Sequence, residues 1–356
     1  MPSGDDRPAV TSPVPRAVWE SVLRSDRNAV VTQSLEWRDA VFAGGRYRDV
    51  SLLYEFPSGR QVVLPMARHR LAPSNTSIAS WPRVWGLGGP ISSEGRITSA
   101  EAAAVLSDVA RRGRLSAAIR LRHDADEAWL QEAGRFKVEE SGRYILDLAG
   151  GFDDVWEHKF RGTARTAIRK AERSDLDVEV DRTGRLLDVF FELYEKTVPR
   201  WTSIPHEPLW LTRARANWIN PTSRHHLGLV ATHFGKGCAT WVARAKGRPV
   251  AAVIVLSSGA YAQYRWGAMD KEGANPVRAN EWLHRLVIEE ACREGYRFYD
   301  MGGAWPGSAL AAFKEKLGAT LHFTHFLLAA HPAIESGRQL SRALVQKMTG
   351  GDGSGH

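Results

Sequence analysis

Apolar residues in the first half of the chain recur with two different periods, which predict alternating helices and strands. Spacings of three and four residues predict helices over 16–24, from the N-cap Ser34 to Gly44, and from 100 to a stop at Gly113. Apolar runs on either side of the turn PSG predict a hairpin (DVSLLYEF and RQVVLPMARHRL), and LSAAIRLR and YILDL predict two further strands. The segment SWPRVWGLGGPIS predicts a loop with a buried aromatic base.

The second half repeats this alternation with more strands. Asp154 and Glu157 have capping-box spacing, which predicts a helix that continues through RGTARTAIRKAER (161–173) and ends before the strand LDVEV. Two amphipathic helices are predicted next, RLLDVFFELYEKTV ending at Pro199 and PLWLTRARANWIN. The pattern then predicts four strands (HLGLVATHF, CATWVARA, PVAAVIVLS and AYAQYRWGAM), a helix over 280–294, the strand RFYDM, a helix over 310–316 and the strand TLHFTHFLLA.

The two halves share local patterns that indicate a duplicated α+β unit. A hairpin with a Gly-Arg turn occurs at Gly59 and again at Gly247, and a helix–Gly–strand sequence occurs at Gly113 and again at Gly295. Both repeats have nearly the same offset. Chance repetition is the alternative, because such turns are common.

Length and charge narrow the class of protein. A chain of 356 residues is long enough for about two domains, and its net charge of +8 and pI near 9.6 favour an anionic partner such as nucleic acid, a phosphorylated substrate or an anionic membrane surface. Its two cysteines have no disulfide or metal spacing, no apolar run reaches the length of a bilayer span, and the first residues lack the apolar region of a signal peptide. These features predict a cytoplasmic protein.

The helix over 161–173 concentrates positive charge on one face. Arg161, Arg165, Arg169 and Arg173 follow one another at a spacing of four residues, opposite a stripe of alanine and isoleucine. Repulsion between such neighbours costs a few tenths of a kcal/mol per pair, which favours contact with phosphates. A merely solvated face is the alternative, and base stacking is not predicted because no aromatic residue is interleaved.

Five segments, taken in order, resemble the GNAT acyltransferase superfamily and in particular the Fem-type peptidoglycan-bridge aminoacyltransferases. They are RGTARTAIRKAER with LDVEV, WVARAKGRPVAAVIV, AYAQYRWGAMD, ANEWLHRLVIEEACREGYRFYDMGG and FKEKLGA. The resemblance implies an α+β chain of two tandem GNAT-like units, each a mixed, mostly antiparallel sheet flanked by helices. It implies a disordered N-terminus (1–15), a degenerate first domain (16–148), a second domain with the donor site (149–332), and a partly disordered C-terminal segment (333–356).

The same resemblance implies an acyl-transfer site where the strands AYAQYRWGAM and RFYDMGG separate. By that resemblance Lys314, preceded by Phe313, would stabilise the oxyanion that forms on the acyl group. The alternative is a surface lysine on a short helix. Asp300 would accept a proton from the acceptor amine or orient its ammonium. Its alternative role is to cap a turn, with Gly302 and Gly303 chosen for their backbone geometry.

Three residues of the strand AYAQYRWGAM are further candidates. Tyr264 and Trp266 alternate along the strand and are predicted to share one face, which either lines the acyl channel or belongs to the core. The Tyr264 hydroxyl needs a partner, which favours a functional role for that residue. Arg265 is predicted to point to the other face, toward solvent or substrate.

The start of the helix at Asn280 bears on the donor. Acyl-CoA members of the superfamily carry the loop R/Q-x-x-G-x-G/A there, whose backbone binds pyrophosphate. This chain reads GANPVRANEWLHRL, which keeps Arg278 and the helix end, including Asn280, as binding residues but lacks the glycines.

The missing glycines weaken the case for an acyl-CoA donor and fit the Fem-type proteins. The resemblance therefore implies aminoacyl-tRNA as the donor, with a peptidoglycan precursor or a small metabolite as the acceptor. The alternatives are an acyl-CoA or acyl-carrier N-acyltransferase, and a non-catalytic RNA- or partner-binding protein on a GNAT scaffold. No metal-ligand motif occurs, so neither a metal nor a bound cofactor is expected.

Overall fold

The computed structural model describes residues 7–73, 76–82, 85–93, 96–202 and 223–331. Contacts divide the chain into two compact units, the first reaching to Ser141 and resuming at Phe323, and the second spanning Gly142–His322. The predicted helix PLWLTRARANWIN and the predicted segment 333–356 lie outside the described residues. The predicted domain limits at 148 and 332 stay predictions.

The first unit contains two sheets and four helices among its described residues. One sheet has the order β1-β3-β4-β7. The other has the order β15-β8-β6-β5-β2, in which β15 (Thr320–Ala330) is the strand with which the chain returns to this unit. Among these described strands, only β6 and β8 run parallel. Its elements are β1 (Ala9–Thr11), α1 (Arg16–Ser25), α2 (Leu35–Ala43), β2 (Tyr47–Asp49), β3 (Leu52–Glu55), β4 (Gln61–Leu64), β5 (Ala67–His69), β6 (Ser77–Ala79), β7 (Ile91–Ser92), α3 (Ser99–Arg112), β8 (Ser116–Leu121) and α4 (Ala128–Gln131).

Two sequence predictions for the first unit can be compared with its structure. Disorder over residues 1–15 is wrong for Ala9–Thr11, which pairs with β3 because its backbone completes that sheet edge. The buried aromatic base of the loop after residue 79 is confirmed. Trp81 is fully buried, stacks on Trp19 with 6.3 Å between ring centroids, and donates from Nε1 to the Thr32 carbonyl at 2.6 Å.

The second unit is built on one mixed sheet of order β10-β11-β12-β13-β14-β9, flanked by helices. Among the described strands of this sheet, only β13 and β14 run parallel. The elements of the unit are β9 (Lys137–Asp147), α5 (Gly151–Asp154), α6 (Gly162–Glu172), β10 (Leu176–Asp181), α7 (Leu187–Thr202), α8 (Arg224–Phe234), β11 (Cys238–Ala245), β12 (Arg248–Ser258), β13 (Tyr261–Met269), α9 (Lys271–Val277), α10 (Ala279–Arg293), β14 (Phe298–Gly303) and α11 (Ala309–Lys316). The predicted α+β class is confirmed.

The predicted strand HLGLVATHF is wrong, since these residues belong to helix α8. Ser223 caps the helix by accepting from the His226 backbone N–H at 3.1 Å. Leu227, Val230 and Phe234 are buried, and their spacing of three and four residues places them on one helical face. The apolar content of the segment fits a strand as well, so only the spacing of these residues indicates the helix.

Two helix boundaries also differ from the prediction. The helix predicted to run from Asp154 through 173 is interrupted, because Val155–Lys159 form a π-helical turn and α6 begins only after an extended Arg161. Helix α7 runs past Pro199 to Thr202. A proline removes one backbone hydrogen bond, and the helix tolerates that loss in its final turn.

No helix in the described part of the chain is both long and apolar enough to cross a membrane.

Candidate active site

Strands β13 and β14 separate in the middle of the second unit, as predicted. They pair through three residue pairs, the last of which joins Gln263 to Asp300. Beyond this point β13 stays paired with β12, whereas the end of β14 pairs with Arg143 of β9. We name the place after Gln263 and Asp300, where the two strands cease to pair, the β13–β14 cleft.

A β-bulge in β13 sets which side chains face each side of the sheet. Tyr264 pairs with Val255 and Trp266 with Ile254, so Arg265 is an extra residue between them. The extra residue reverses the alternation, so the prediction that Tyr264 and Trp266 share a face is wrong.

Aromatic contacts of the two side chains agree with opposite faces. Trp266 contacts His226 of α8 at 5.8 Å between ring centroids. Tyr264 contacts His284 of α10 at 4.7 Å, and burial raises the pKa of Tyr264 to about 12. Tyr264 therefore belongs to the α10 side of the sheet and Trp266 to the α8 side.

Asp300 lies at the end of the paired region and is almost fully buried. Its Oδ2 accepts from Arg143 Nε at 2.9 Å, from a second Arg143 nitrogen, and from Gln263 Nε2 at 2.8 Å. Its Oδ1 accepts from the Gly302 backbone N–H at 2.9 Å. Both oxygens are thus engaged, which supports the alternative role weighed for Asp300, that of holding the turn, more than a role as a proton acceptor.

Lys314 of α11 places a buried ammonium at the carboxyl end of β14. Its side chain donates to the carbonyl oxygens of Gly302 at 3.1 Å and Gly303 at 2.7 Å. Gly302 has a φ of +75°, a conformation that glycine adopts without strain. Burial lowers the pKa of Lys314 to about 8, while Asp300 opposes this shift and Arg143 adds to it.

An aromatic cluster lies beside Lys314. Two of its members, His284 and Tyr299, were not predicted from the sequence. His284 of α10 is fully buried, contacts Phe313 at 5.3 Å between ring centroids, and bonds through Nδ1 to the Tyr299 hydroxyl at 2.8 Å. Burial lowers the pKa of His284 to about 3, and the charges of Lys314 and Lys316 act in the same direction. A histidine on the apolar face of a helix was the available signal for this residue.

Arg265 is half-buried rather than solvent-facing. Its guanidinium lies 4.6 Å from the centroid of the Trp266 ring. Burial lowers its pKa to about 10, Arg143 acts in the same direction, and Asp300 opposes the shift. Arg265 therefore adds a third positive charge, after Arg143 and Lys314, to the electrostatic environment of Asp300.

The start of α10 carries an acidic group. Arg278 precedes the helix in a left-handed conformation with φ +55°, directly after α9, and Asn280 lies half-buried in the first turn. Glu281 in the same turn is buried and accepts from Lys316 Nζ at 2.8 Å, with Arg278 at 3.9 Å. The Glu281 carboxylate thus occupies the positive end of the helix dipole.

The arginine row of α6 divides into two kinds of residue. Arg165 donates at 2.9 Å to each of three backbone carbonyls, those of Trp156, Glu157 and Phe160. Arg169 is exposed and lies 6.0 Å from the centroid of the Trp156 ring. Arg165 therefore holds the π-helical turn, whereas Arg169 remains a candidate for phosphate contact, and an aromatic ring from outside α6 accompanies it.

We expect Arg165→Ala to lower the free energy of unfolding by about 1–3 kcal/mol, because three carbonyls lose their charged donor. The matched change Arg169→Ala should alter it by less than about 0.5 kcal/mol, as is usual for an exposed side chain. Urea unfolding of both variants measures the difference. Equal losses would contradict the structural role of Arg165.

The described ranges contain no group of three or more His, Cys, Asp or Glu side chains arranged to hold a metal ion.

Residues 158–315 match the family model described as an acetyltransferase (GNAT) domain. The crystal structure of FemX is similar to the chain with a TM-score of 0.63 and 12% identity, covering 95% of this chain and 100% of that one. The C-terminal domain of a putative lysylphosphatidylglycerol synthetase from Agrobacterium fabrum gives a TM-score of 0.51 and 16% identity, with coverages of 94% and 98%. A tandem GNAT protein from the clavulanic acid biosynthesis pathway gives 0.52 and 13%, with coverages of 91% and 98%. Among curated proteins none matches the chain.

Residues 158–315 therefore form a GNAT acyltransferase domain, and the chain as a whole is similar in fold to FemX and to a tandem GNAT protein.

Proposed function

We propose that the protein transfers an aminoacyl group from aminoacyl-tRNA to an amine acceptor. The acceptor nitrogen attacks the ester carbonyl carbon, the bond between that carbon and the tRNA ribose oxygen breaks, and the released ribose oxygen takes up the proton lost by the amine to become a hydroxyl. The products are an amide and free tRNA. The observation that carries this proposal is the buried Lys314 ammonium at the β13–β14 cleft.

Lys314 provides the electrostatic part of the catalysis. The tetrahedral intermediate of acyl transfer carries a negative oxygen, and a cation in a site shielded from water stabilises it more than it stabilises the neutral ester. Two carbonyl hydrogen bonds fix the ammonium before the substrate binds. The ester is already activated, so alignment and charge stabilisation are the main requirements.

The start of α10 favours a donor without a pyrophosphate at this position. A pyrophosphate would need the backbone N–H groups and the positive potential of the helix end. Here the buried Glu281 carboxylate, paired with Lys316 and Arg278, already occupies the first turn. The acyl-CoA alternative is therefore disfavoured, and an aminoacyl ester of tRNA is the donor we propose, as in the Fem-type resemblance.

The acceptor side of the cleft offers a group suited to an amine. Gln263 is almost fully buried, and its Oε1 has no hydrogen-bond partner among the described residues. Its Nε2 donates to Asp300, which fixes the oxygen as the free end of the amide. This oxygen can accept from an amine N–H, and the net charge of +8 favours acceptors that carry phosphate, such as a peptidoglycan precursor.

A donor trial tests the proposal. Purified protein is offered radiolabelled aminoacyl-tRNA and, separately, labelled acetyl-CoA, each with a mixture of amine acceptors. We expect amide product only with aminoacyl-tRNA, and none after RNase treatment. CoA-dependent product without RNA would show the acyl-CoA alternative, and RNA binding without turnover would show the non-catalytic one.

The pKa of Lys314 predicts the alkaline side of the pH profile. The ammonium form is active, so kcat/KM should fall as the pH rises through about 8. Lys314→Arg should remove this fall at any residual activity, because arginine stays protonated throughout that range. Initial rates measured from pH 6.5 to about 9.5 check both profiles. The same alkaline fall in the Lys314→Arg variant would assign the titration to another group.

A further inference from the structure

We infer that His284 donates a second hydrogen bond to the developing oxyanion through its Nε2–H group, and that Tyr299 is the positioning residue that selects this tautomer. The inference rests on the acyl-transfer function proposed above. It adds to Lys314 a neutral donor from a different helix.

His284 has a buried nitrogen that the protein itself does not satisfy. The residue has 0% exposure, its Nδ1 lies 2.8 Å from the Tyr299 hydroxyl, and its Nε2 has no hydrogen-bond partner in the described part of the chain. Leaving a buried polar atom unpaired is unfavourable in a folded protein. A site that keeps such an atom is suited to a ligand that supplies the missing partner.

The Tyr299 contact determines which imidazole nitrogen carries the proton. Burial raises the pKa of Tyr299 well above its ordinary value, so its hydroxyl keeps its proton, and the lowered pKa of His284 keeps the imidazole neutral. If Tyr299 donates to Nδ1, the imidazole proton is on Nε2 and only that group is unpaired. If Nδ1 donated instead, both the Tyr299 hydroxyl proton and the Nε2 lone pair would be unpaired. The first arrangement leaves fewer hydrogen-bonding groups unpaired, so the structure favours the tautomer that carries its proton on Nε2.

The position of His284 connects this donor to the cleft. Its ring contacts Tyr264, the first residue of β13 beyond the region paired with β14, and Phe313, the neighbour of Lys314. The positive charge of Lys314 contributes to the lowered pKa of His284, so the two groups lie within electrostatic range of each other. A neutral donor adds a hydrogen bond beside Lys314 without the repulsion of a second cation, and a neutral imidazole can polarise a carbonyl in this way.

Nitrogen-15 NMR of histidine-labelled protein tests the tautomer directly. The His284 signals are assigned by their loss in His284→Gln, and we expect a protonated Nε2 and an unprotonated Nδ1 with no titration between pH 6 and about 8. Tyr299→Phe should give a mixture of tautomers. A protonated Nδ1 in the wild-type protein would overturn the inference.

Kinetics of the same variants test the role in transfer. His284→Leu should lower kcat by about 10²-fold and Tyr299→Phe by about tenfold, each with little change in KM for aminoacyl-tRNA. His284→Gln, which keeps an N–H donor, should recover part of the loss, and the exposed His158→Gln serves as the unchanged control. Circular dichroism and thermal unfolding test whether each variant is folded. If His284→Leu does not fold, the kinetics of His284→Gln and Tyr299→Phe provide the readout.

The outcomes separate this inference from the proposed function. Wild-type turnover together with undiminished kcat in folded His284→Gln and Tyr299→Phe would overturn the inference and leave the function standing. An Nε2–H tautomer in a protein that transfers no acyl group from any donor would overturn the proposed function and the oxyanion role together.

Discussion

We expect the replacement of Lys314 with methionine to lower kcat by about 10²–10³-fold and to leave KM for the donor nearly unchanged, because it removes a donor that acts on the transition state. Methionine has a similar length and stays compatible with the buried site, but it can neither donate nor carry charge. The ammonium that is lost is held by two carbonyls at the end of β14. Steady-state kinetics with labelled aminoacyl-tRNA measure the change.

The matched control for this substitution is Lys271→Met. Lys271 is exposed at the start of α9, so its loss should leave kcat and KM unchanged. A folded Lys314→Met enzyme with the kcat of the wild type would exclude Lys314 from the catalytic step. A higher KM at constant kcat would assign it to substrate binding instead.

We expect the replacement of Asp300 with asparagine to lower the free energy of unfolding by about 3–5 kcal/mol, because it leaves the buried Arg143 without its counter-charge. The ion pair is well shielded, with side-chain exposures of 14% for Arg143 and 1% for Asp300. Lys314 and Arg265 also lose the nearby carboxylate that favours their charged forms. Chemical denaturation of the variant measures the loss.

Two comparisons make this prediction specific. Asp39→Asn breaks the exposed pair with Arg16 and should cost less than about 1 kcal/mol. The double variant Arg143→Met/Asp300→Asn should recover part of the stability, since no unpaired charge remains. If Asp300→Asn kept the stability of the wild type but lost its kcat, this would contradict the role of Asp300 in holding the turn and favour a role in proton transfer.

The sequence predicted those parts of the site that are local in the chain. The strands AYAQYRWGAM and RFYDMGG have clear apolar patterns, and the end of their pairing marks the site. Short connections in the chain then bring four of its residues close together, namely Gly302, Gly303, Phe313 and Lys314. The helix that begins near Asn280 is predictable for the same reason, because its apolar residues recur with a helical period and a glycine follows its end.

The parts that escaped prediction depend on contacts across the fold. The partner of Asp300 is Arg143, which lies on β9 and is brought beside β14 only by the sheet order. The extra residue Arg265 reverses the faces of β13, and a bulge leaves no signature in the apolar alternation. Burial of His284 depends on packing against Tyr264 and Tyr299, which the helical period alone does not give.

The basic helix shows how structure separates side chains that are alike in sequence. Charge spacing treats Arg165 and Arg169 as equal members of one row. The structure assigns the first to three backbone carbonyls and leaves the second exposed. Any contact of this face with tRNA phosphates therefore depends on Arg169 rather than on Arg165.

A single-turnover transfer experiment tests the central proposal most directly. Excess enzyme is mixed with radiolabelled aminoacyl-tRNA and amine acceptors, and samples are treated with mild alkali, which cleaves the ester of the donor but not an amide. The account predicts alkali-stable label on the acceptor with the wild-type enzyme and about 10²-fold slower formation with Lys314→Met. Label that stays entirely alkali-labile, or transfer at equal rates by both enzymes, would contradict it.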